Sequence, residues 1–161
     1  MLTKKRDVQR GLQKMMQEKS SGEGMGKAGY KVVISGTYYK DKTFPSLNDY
    51  LSEVGTSPKA GGRLKGQYMM IANNAIRRSL KRWKPRGRIT LHYRFYEPEK
   101  GQIRDNMNVF SFFDKVFQDA LVKCQVIKND SPDYVDGNQI THKFYYTSKT
   151  PFVEVEIEEV E

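Results

Sequence analysis

The sequence predicts an α+β fold, in which a mixed β-sheet carries two main helices packed on one face, with a separate helix at the N-terminus. Three observations carry this. Stretches of period-two alternation mark strands, two stretches of 3.6-residue periodicity mark the helices, and they follow one another as strand, helix, strand, helix, strand, strand. At 161 residues the chain is long enough for one proper core and too short for two ordinary domains. Apolar residues at 37% and aromatics at 12% suffice to organise such a core, which argues against disorder throughout.

Leu2 to Lys19 has helical composition, with a weak apolar stripe of Leu12, Met15 and Met16 among basic residues. Ser20 to Gly29 (SSGEGMGKAG) is glycine-rich and reads as a linker, so residues 1–29 form an appendage and residues 30–161 the domain. Tyr30 to Tyr39 is strand-like through Val32, Val33, Ile34 and Thr37, broken or ended around Gly36. Ser46 is placed to cap a short helix running through Leu51, which ends before the turn residues Gly55 to Pro58. Gly61 and Gly62, beside Arg63 and Lys65, read either as a flexible loop approaching phosphate or as a plain turn.

Gly66 to Arg82 is the clearest amphipathic helix: Tyr68, Ile71, Ala72, Ala75, Ile76 and Leu80 share one face, Asn73, Asn74, Arg77, Arg78 and Lys81 the other. Arg88 to Tyr96 alternates as a half-buried strand. A turn at Pro98 to Gly101 leads to the second long helix, Asn106 to Lys123, and then to a polar loop, Lys128 to Asn138. Ile140 to Tyr146 and Phe152 to Ile157 alternate like an antiparallel pair joined by a turn at Ser148 to Pro151.

The formal charge of +9 favours a polyanionic partner, because each phosphate neutralised by Lys or Arg releases bound counterions. The charge is concentrated. From Pro58 to Arg88 the chain carries Lys59, Arg63, Lys65, Arg77, Arg78, Lys81, Arg82, Lys84, Arg86 and Arg88 with no acidic residue between them. Arg63, Lys65, Arg77, Arg78, Lys81, Arg82, Lys84 and Arg86 are the candidates for tracking a DNA backbone, and Trp83 among them is a candidate for base stacking or for the core. Neither an apolar run long enough to span a bilayer nor a lipidation or secretory signal is evident, so no membrane is expected. The single cysteine, Cys124, permits no internal disulfide and fits a reducing, cytoplasmic location.

The chemistry-bearing stretch is Arg104 to Asp130, RDNMNVFSFFDKVFQDALVKCQVIKND. At about 100° per residue, Asp105, Asn108, Lys115 and Asp119 fall in one polar sector of the helix, and Val109, Phe113, Val116, Phe117 and Ala120 fall in another. Asp105 and Asp130 have the oxygen ligands that a hard divalent cation requires, with Asn108 and Asp119 as further candidates. Lys115 can offset charge developing on a phosphoryl group. The competing interpretation makes Asp105 a helix cap, Lys115 and Asp119 an ordinary surface pair, and Asp130 a turn residue.

The order RDxxN, K-x-x-x-D-A-L, V-I-x-N-D and a closing F-V-E-V-E-I strand resembles the RusA family of Holliday junction resolvases, common in phages and prophages. The resemblance covers roughly Tyr30 to Ile157. It implies a RusA-like fold and a magnesium-dependent homodimer, with manganese as the alternative metal, that cleaves four-way DNA junctions in recombination and repair in a bacterial host cell. Asp105 and Asn108 match the family's D-x-D-N motif, Lys115 its helix lysine, Asp119 the aspartate one turn later and Asp130 its last metal-binding aspartate. Met107 departs from the pattern by standing where the family has its second aspartate, and a thioether is a poor ligand for a hard cation. The alternative is therefore a DNA-binding protein of the same fold with weak or lost catalysis. A sheet-based RNA-binding protein is a third reading. His92 and His142 lack metal-ligand spacing, Asp133 and Asp136 read as turn formers, and no P-loop spacing occurs.

Overall fold

The computed structural model describes residues 30–160; the expected N-terminal helix and glycine-rich linker lie outside the described residues. Strand β1 (Tyr30–Ser35) buries Val32 and Ile34 in alternation. It ends at Ser35, at the break expected around Gly36, whose φ is 139°. A Cβ at Gly36 would also stand 2.9 Å from the Tyr38 ring.

Helix α1 (Leu47–Thr56) starts at Ser46, whose hydroxyl accepts from the Asp49 amide while the Asp49 carboxylate accepts from the Ser46 amide. This reciprocal cap satisfies two amides that would otherwise lack partners. The helix outlasts its expected end at Leu51. Ser57 closes it, donating its amide to the Glu53 carbonyl, and also caps the next helix by accepting from the Ala60 amide.

Helix α2 (Pro58–Leu80) begins two turns before the expected Gly66. A serine cap followed by proline at the first helical position outweighs the weak propensity of two glycines, so Gly61 and Gly62 are helical rather than a loop. Gly61 is buried against Val54 of α1, and a side chain there would collide with it. Among the described residues the domain thus has three α-helices, the two main ones expected and the short one expected after Ser46.

Strand β2 (Ile89–Pro98) precedes helix α3 (Asn106–Lys123), which has the expected limits. After a short 3₁₀ turn, Gly137–Gln139, come β3 (Thr141–Thr147) and β4 (Phe152–Glu159). They do not pair with each other as the alternation and the turn predicted. The sheet order is β1-β4-β2-β3. β4 lies antiparallel between β1 and β2, whereas β3 runs parallel to β2 on the outer edge. The helix between β2 and β3 sets that parallel return, and the connection from Ser148 to Pro151 then crosses the end of β2 instead of folding a hairpin.

One face of the sheet, carrying Val32, Ile34, Leu91, Tyr93, Phe95, Val155 and Ile157, closes the core with Tyr68, Ala72 and Ile76 of α2 and Val109, Phe113 and Phe117 of α3. The other face carries an ionic ladder in which Glu154 meets Lys31 at 2.9 Å and Arg94 at 3.2 Å. It also carries a row of stacked rings, with Tyr96 lying 4.9 Å from Tyr145 and 4.1 Å from Phe152. Among the described residues no helix is long and apolar enough to cross a membrane.

Candidate functional site

Helix α3 is the platform of the site. Its seam of Val109, Phe112, Phe113, Val116, Phe117, Ala120 and Leu121 is buried, which turns Lys115 and Asp119 outward. Asp114 fixes the helix to the sheet by accepting from the buried Tyr93 hydroxyl and from the Gln118 amide. Burial, reinforced by Asp114, holds the Tyr93 phenol well above its usual range.

Beyond α3 the chain folds back. Val126 and Ile127 enter the core, and the Ile89 amide and carbonyl bond Tyr134 and Asp136 on either side of buried Val135. The loop expected to be merely polar is therefore tied to the start of β2, and Asp130 is brought over α3. Lys115 Nζ stands 3.3 Å from Asp119 Oδ1 and 3.6 Å from Asp130 Oδ2. Lys65, reaching across from α2, meets Asp119 Oδ2 at 3.0 Å. Two carboxylates and two ammoniums thus converge from two helices and a loop. The hydrogen bond to Asp119 and its charge, with Asp130 adding to them, hold the Lys115 ammonium above its usual pKa. It is suited to stabilising negative charge and poorly suited to accepting a proton.

Asp105 is not in this cluster. It caps α3, its Oδ1 accepting from the Asn108 amide at 3.1 Å. Asp105, Asn108, Lys115 and Asp119 do share a helical face, but with a rise of about 1.5 Å per residue Asp105 lies roughly 15 Å along the axis from Lys115 and roughly 21 Å from Asp119. Asp130 therefore joins Asp119, rather than the expected partner Asp105. Met107 is exposed at the Asp105 end. Among the described residues no group of three His, Cys, Asp or Glu side chains is gathered to hold a metal ion. The Asp119 and Asp130 carboxylates nevertheless match a magnesium ion chemically, since such an ion needs only one or two carboxylates beside water and phosphate oxygens.

The sequence gives little sign of a structural arginine at the start of α3. Arg104, nearly buried, binds both oxygens of buried Glu97 through Nη2 at 2.8 and 3.1 Å and donates Nη1 to the Phe44 carbonyl at 2.6 Å. It also stands 3.7 Å from Asp49 in the α1 cap. Arg104 thereby joins the start of α3 to the end of β2 and the start of α1. Its adjacency to the Asp105 cap was the only local signal; the partners are remote in sequence.

The cationic surface follows α2 and its exit. Lys59, Arg63, Arg77 and Lys81 return to one exposed face of the helix, with Arg63 and Lys81 about five turns or roughly 27 Å apart. Arg78, Arg82, Lys84 and Arg86 are exposed beside them. Lys65 turns the other way, toward Asp119. Arg88 pairs with Asp136 at 3.6 Å. Trp83 stacks on Tyr30 with ring centroids 3.9 Å apart, which commits one face of the indole to the fold. His92 bridges Thr141 and Glu158, each at 2.7 Å, and His142 stacks on Phe110. Burial pushes the Cys124 thiol up in pKa beside Asn73.

Comparison with known proteins finds no family model that matches the chain, and no curated protein matches it either.

Proposed function

We propose that this chain is a metal-dependent endonuclease that hydrolyses phosphodiesters in branched DNA, four-way junctions in particular, as the resemblance to RusA resolvases implies. The observation that supports this best is the Lys115, Asp119 and Asp130 cluster, linked through Lys65 to a helix whose exposed face is cationic and free of acids. Water attacks the phosphorus and gives up one proton to solvent, the bond to the leaving sugar oxygen breaks, and that oxygen takes a proton from solvent. Lys115 stabilises the charge that builds on the phosphoryl oxygens. Asp119 and Asp130 would hold a magnesium ion, whose chemistry there would be added positive charge and a lowered pKa for bound water. Two copies on one junction would put one cluster on each of two paired strands.

The second reading is a non-cleaving DNA binder. Exposed Met107, standing beside a carboxylate already used as a cap, favours it. Both readings are tested by incubating a labelled four-way junction with the wild type, Asp130→Asn and Met107→Asp, with and without magnesium or manganese. Paired nicks that need metal and Asp130 support the nuclease, and a gain in Met107→Asp marks that position as a depleted ligand. Tight binding with no nick under any condition selects the binder.

A further inference from the structure

Between the exit of α2 and the end of α3 lies a cleft of about 630 Å³. Lys84, Arg86, Arg88 and Lys128 line it, and among the described residues Asp133 is the one carboxylate in its lining. Half-buried Pro85, Val122 and Tyr134 add apolar surface to the same walls. Arg88 is held there by Asp136 at 3.6 Å, yet its Nε is buried and meets no acceptor.

The cleft adjoins a second hollow of about 290 Å³, which shares Lys84, Gln125 and Val126 with it and is lined by Arg77, Lys81 and Arg82. Those three residues end the cationic face of α2. At its other side the cleft reaches Lys128, from which Asn129 leads directly to Asp130 of the Lys115 cluster. A cationic path therefore runs from the exposed helix through the cleft toward Asp130.

We infer that this cleft binds one unpaired strand of DNA, an inference that rests on the DNA reading above and adds to it where a strand goes once it leaves a duplex. The chemistry distinguishes a strand from a duplex. A duplex keeps its base faces stacked inside, so it has nothing to lay on the apolar walls and gains little from the cleft. An unpaired strand offers phosphates to Lys84, Arg86, Arg88 and Lys128 and a free base face to Tyr134, Pro85 and Val122. The exposed face of α2 is convex and suits the duplex arm.

The test uses the full chain and fluorescence anisotropy with three probes, a labelled thymidylate oligomer, a blunt duplex of the same length and a labelled four-way junction. Arg86→Glu with Lys128→Glu alters the cleft, and Arg63→Glu with Arg77→Glu alters the helix. All four side chains are exposed, and thermal melting checks that each variant folds. The cleft variant should lose about tenfold or more in oligomer affinity and about 1.4 in the slope of log K against log salt, the value for two single-strand phosphate contacts, with duplex binding little changed. The helix variant should lose chiefly duplex binding. If the cleft variant loses oligomer and duplex equally, or neither, the inference is overturned. Wild type that binds the duplex or the four-way junction but not the oligomer also overturns it while leaving the DNA reading intact, and wild type that binds none of the three overturns both.

Discussion

Lys115 Nζ lies 3.6 Å from Asp130 Oδ2, and this contact spans the fold-back of the chain after α3. The helix orients Lys115 and the tethered loop orients Asp130, so the pair depends on both. Neither side chain is buried, with Lys115 62% and Asp130 40% exposed, and the pair therefore adds little to stability.

Lys115→Ala and Asp130→Asn should each reduce junction cleavage by about 100- to 1000-fold, the usual cost of removing a group that stabilises transition-state charge. Urea unfolding should change by no more than about 0.5 kcal/mol, as for other exposed substitutions. Loss of cleavage together with a collapse in stability would make the cluster structural.

Asp105 has a measurable role at the start of α3. Asp105→Ala should destabilise the domain by about 0.5–2 kcal/mol, whereas Asp105→Asn, which keeps a capping oxygen, should be close to neutral. Chemical denaturation of both variants decides; equal losses would show that the charge, and not the cap, matters there.

Arg104→Met leaves buried Glu97 without its bidentate partner and should cost about 3–5 kcal/mol. Adding Glu97→Leu should recover most of that loss, because the buried charge is then gone as well. A double variant as unstable as the single one would assign the effect to the Phe44 carbonyl instead.

The adjacent glycines of α2 should respond in opposite directions. Gly61→Ala meets the Val54 side chain and should destabilise by about 1–3 kcal/mol. Gly62→Ala has open space around it and should stabilise by about 0.5–1 kcal/mol through its better helix propensity. Melting curves of the two variants check the contrast.

Stability should fall as pH rises above 10. Burial raises the Tyr68 and Tyr96 phenols to about 12 and Tyr93 well above the ordinary phenol range. In the unfolded chain these groups ionise first, so above pH 10 the unfolded state binds fewer protons than the native state and is favoured. Their contribution is fully present below pH 10 and is lost as pH climbs toward 12. Urea midpoints measured from pH 9 upward should hold flat and then decline, and a flat profile throughout would contradict the burial of these hydroxyls.

Local patterns determined a good deal. The limits of α3, its buried aromatic seam and the β2 alternation were legible because burial at fixed spacing follows directly from helix and strand geometry. The i,i+4 spacing of Lys115 and Asp119 was legible for the same reason. Ser46 as a cap was legible too, but the length of α1 and the early start of α2 were not. Gly55, Gly61 and Gly62 look like turn residues until Ser57 and Pro58 are seen to end one helix and begin the next, with Gly61 needed for their contact.

By itself, then, the sequence determined the α+β class, the cationic helix and the residue types that carry charge. Tertiary structure alone decided that β4 inserts between β1 and β2, because a turn signal says where the chain reverses and not which strand receives its hydrogen bonds. It also decided that Asp130 joins Asp119 and Lys115 while Asp105 stands apart. A shared helical face fixes direction around the axis; distance along the axis, and the course of the loop that carries Asp130, depend on Val126, Ile127 and Val135 finding the core.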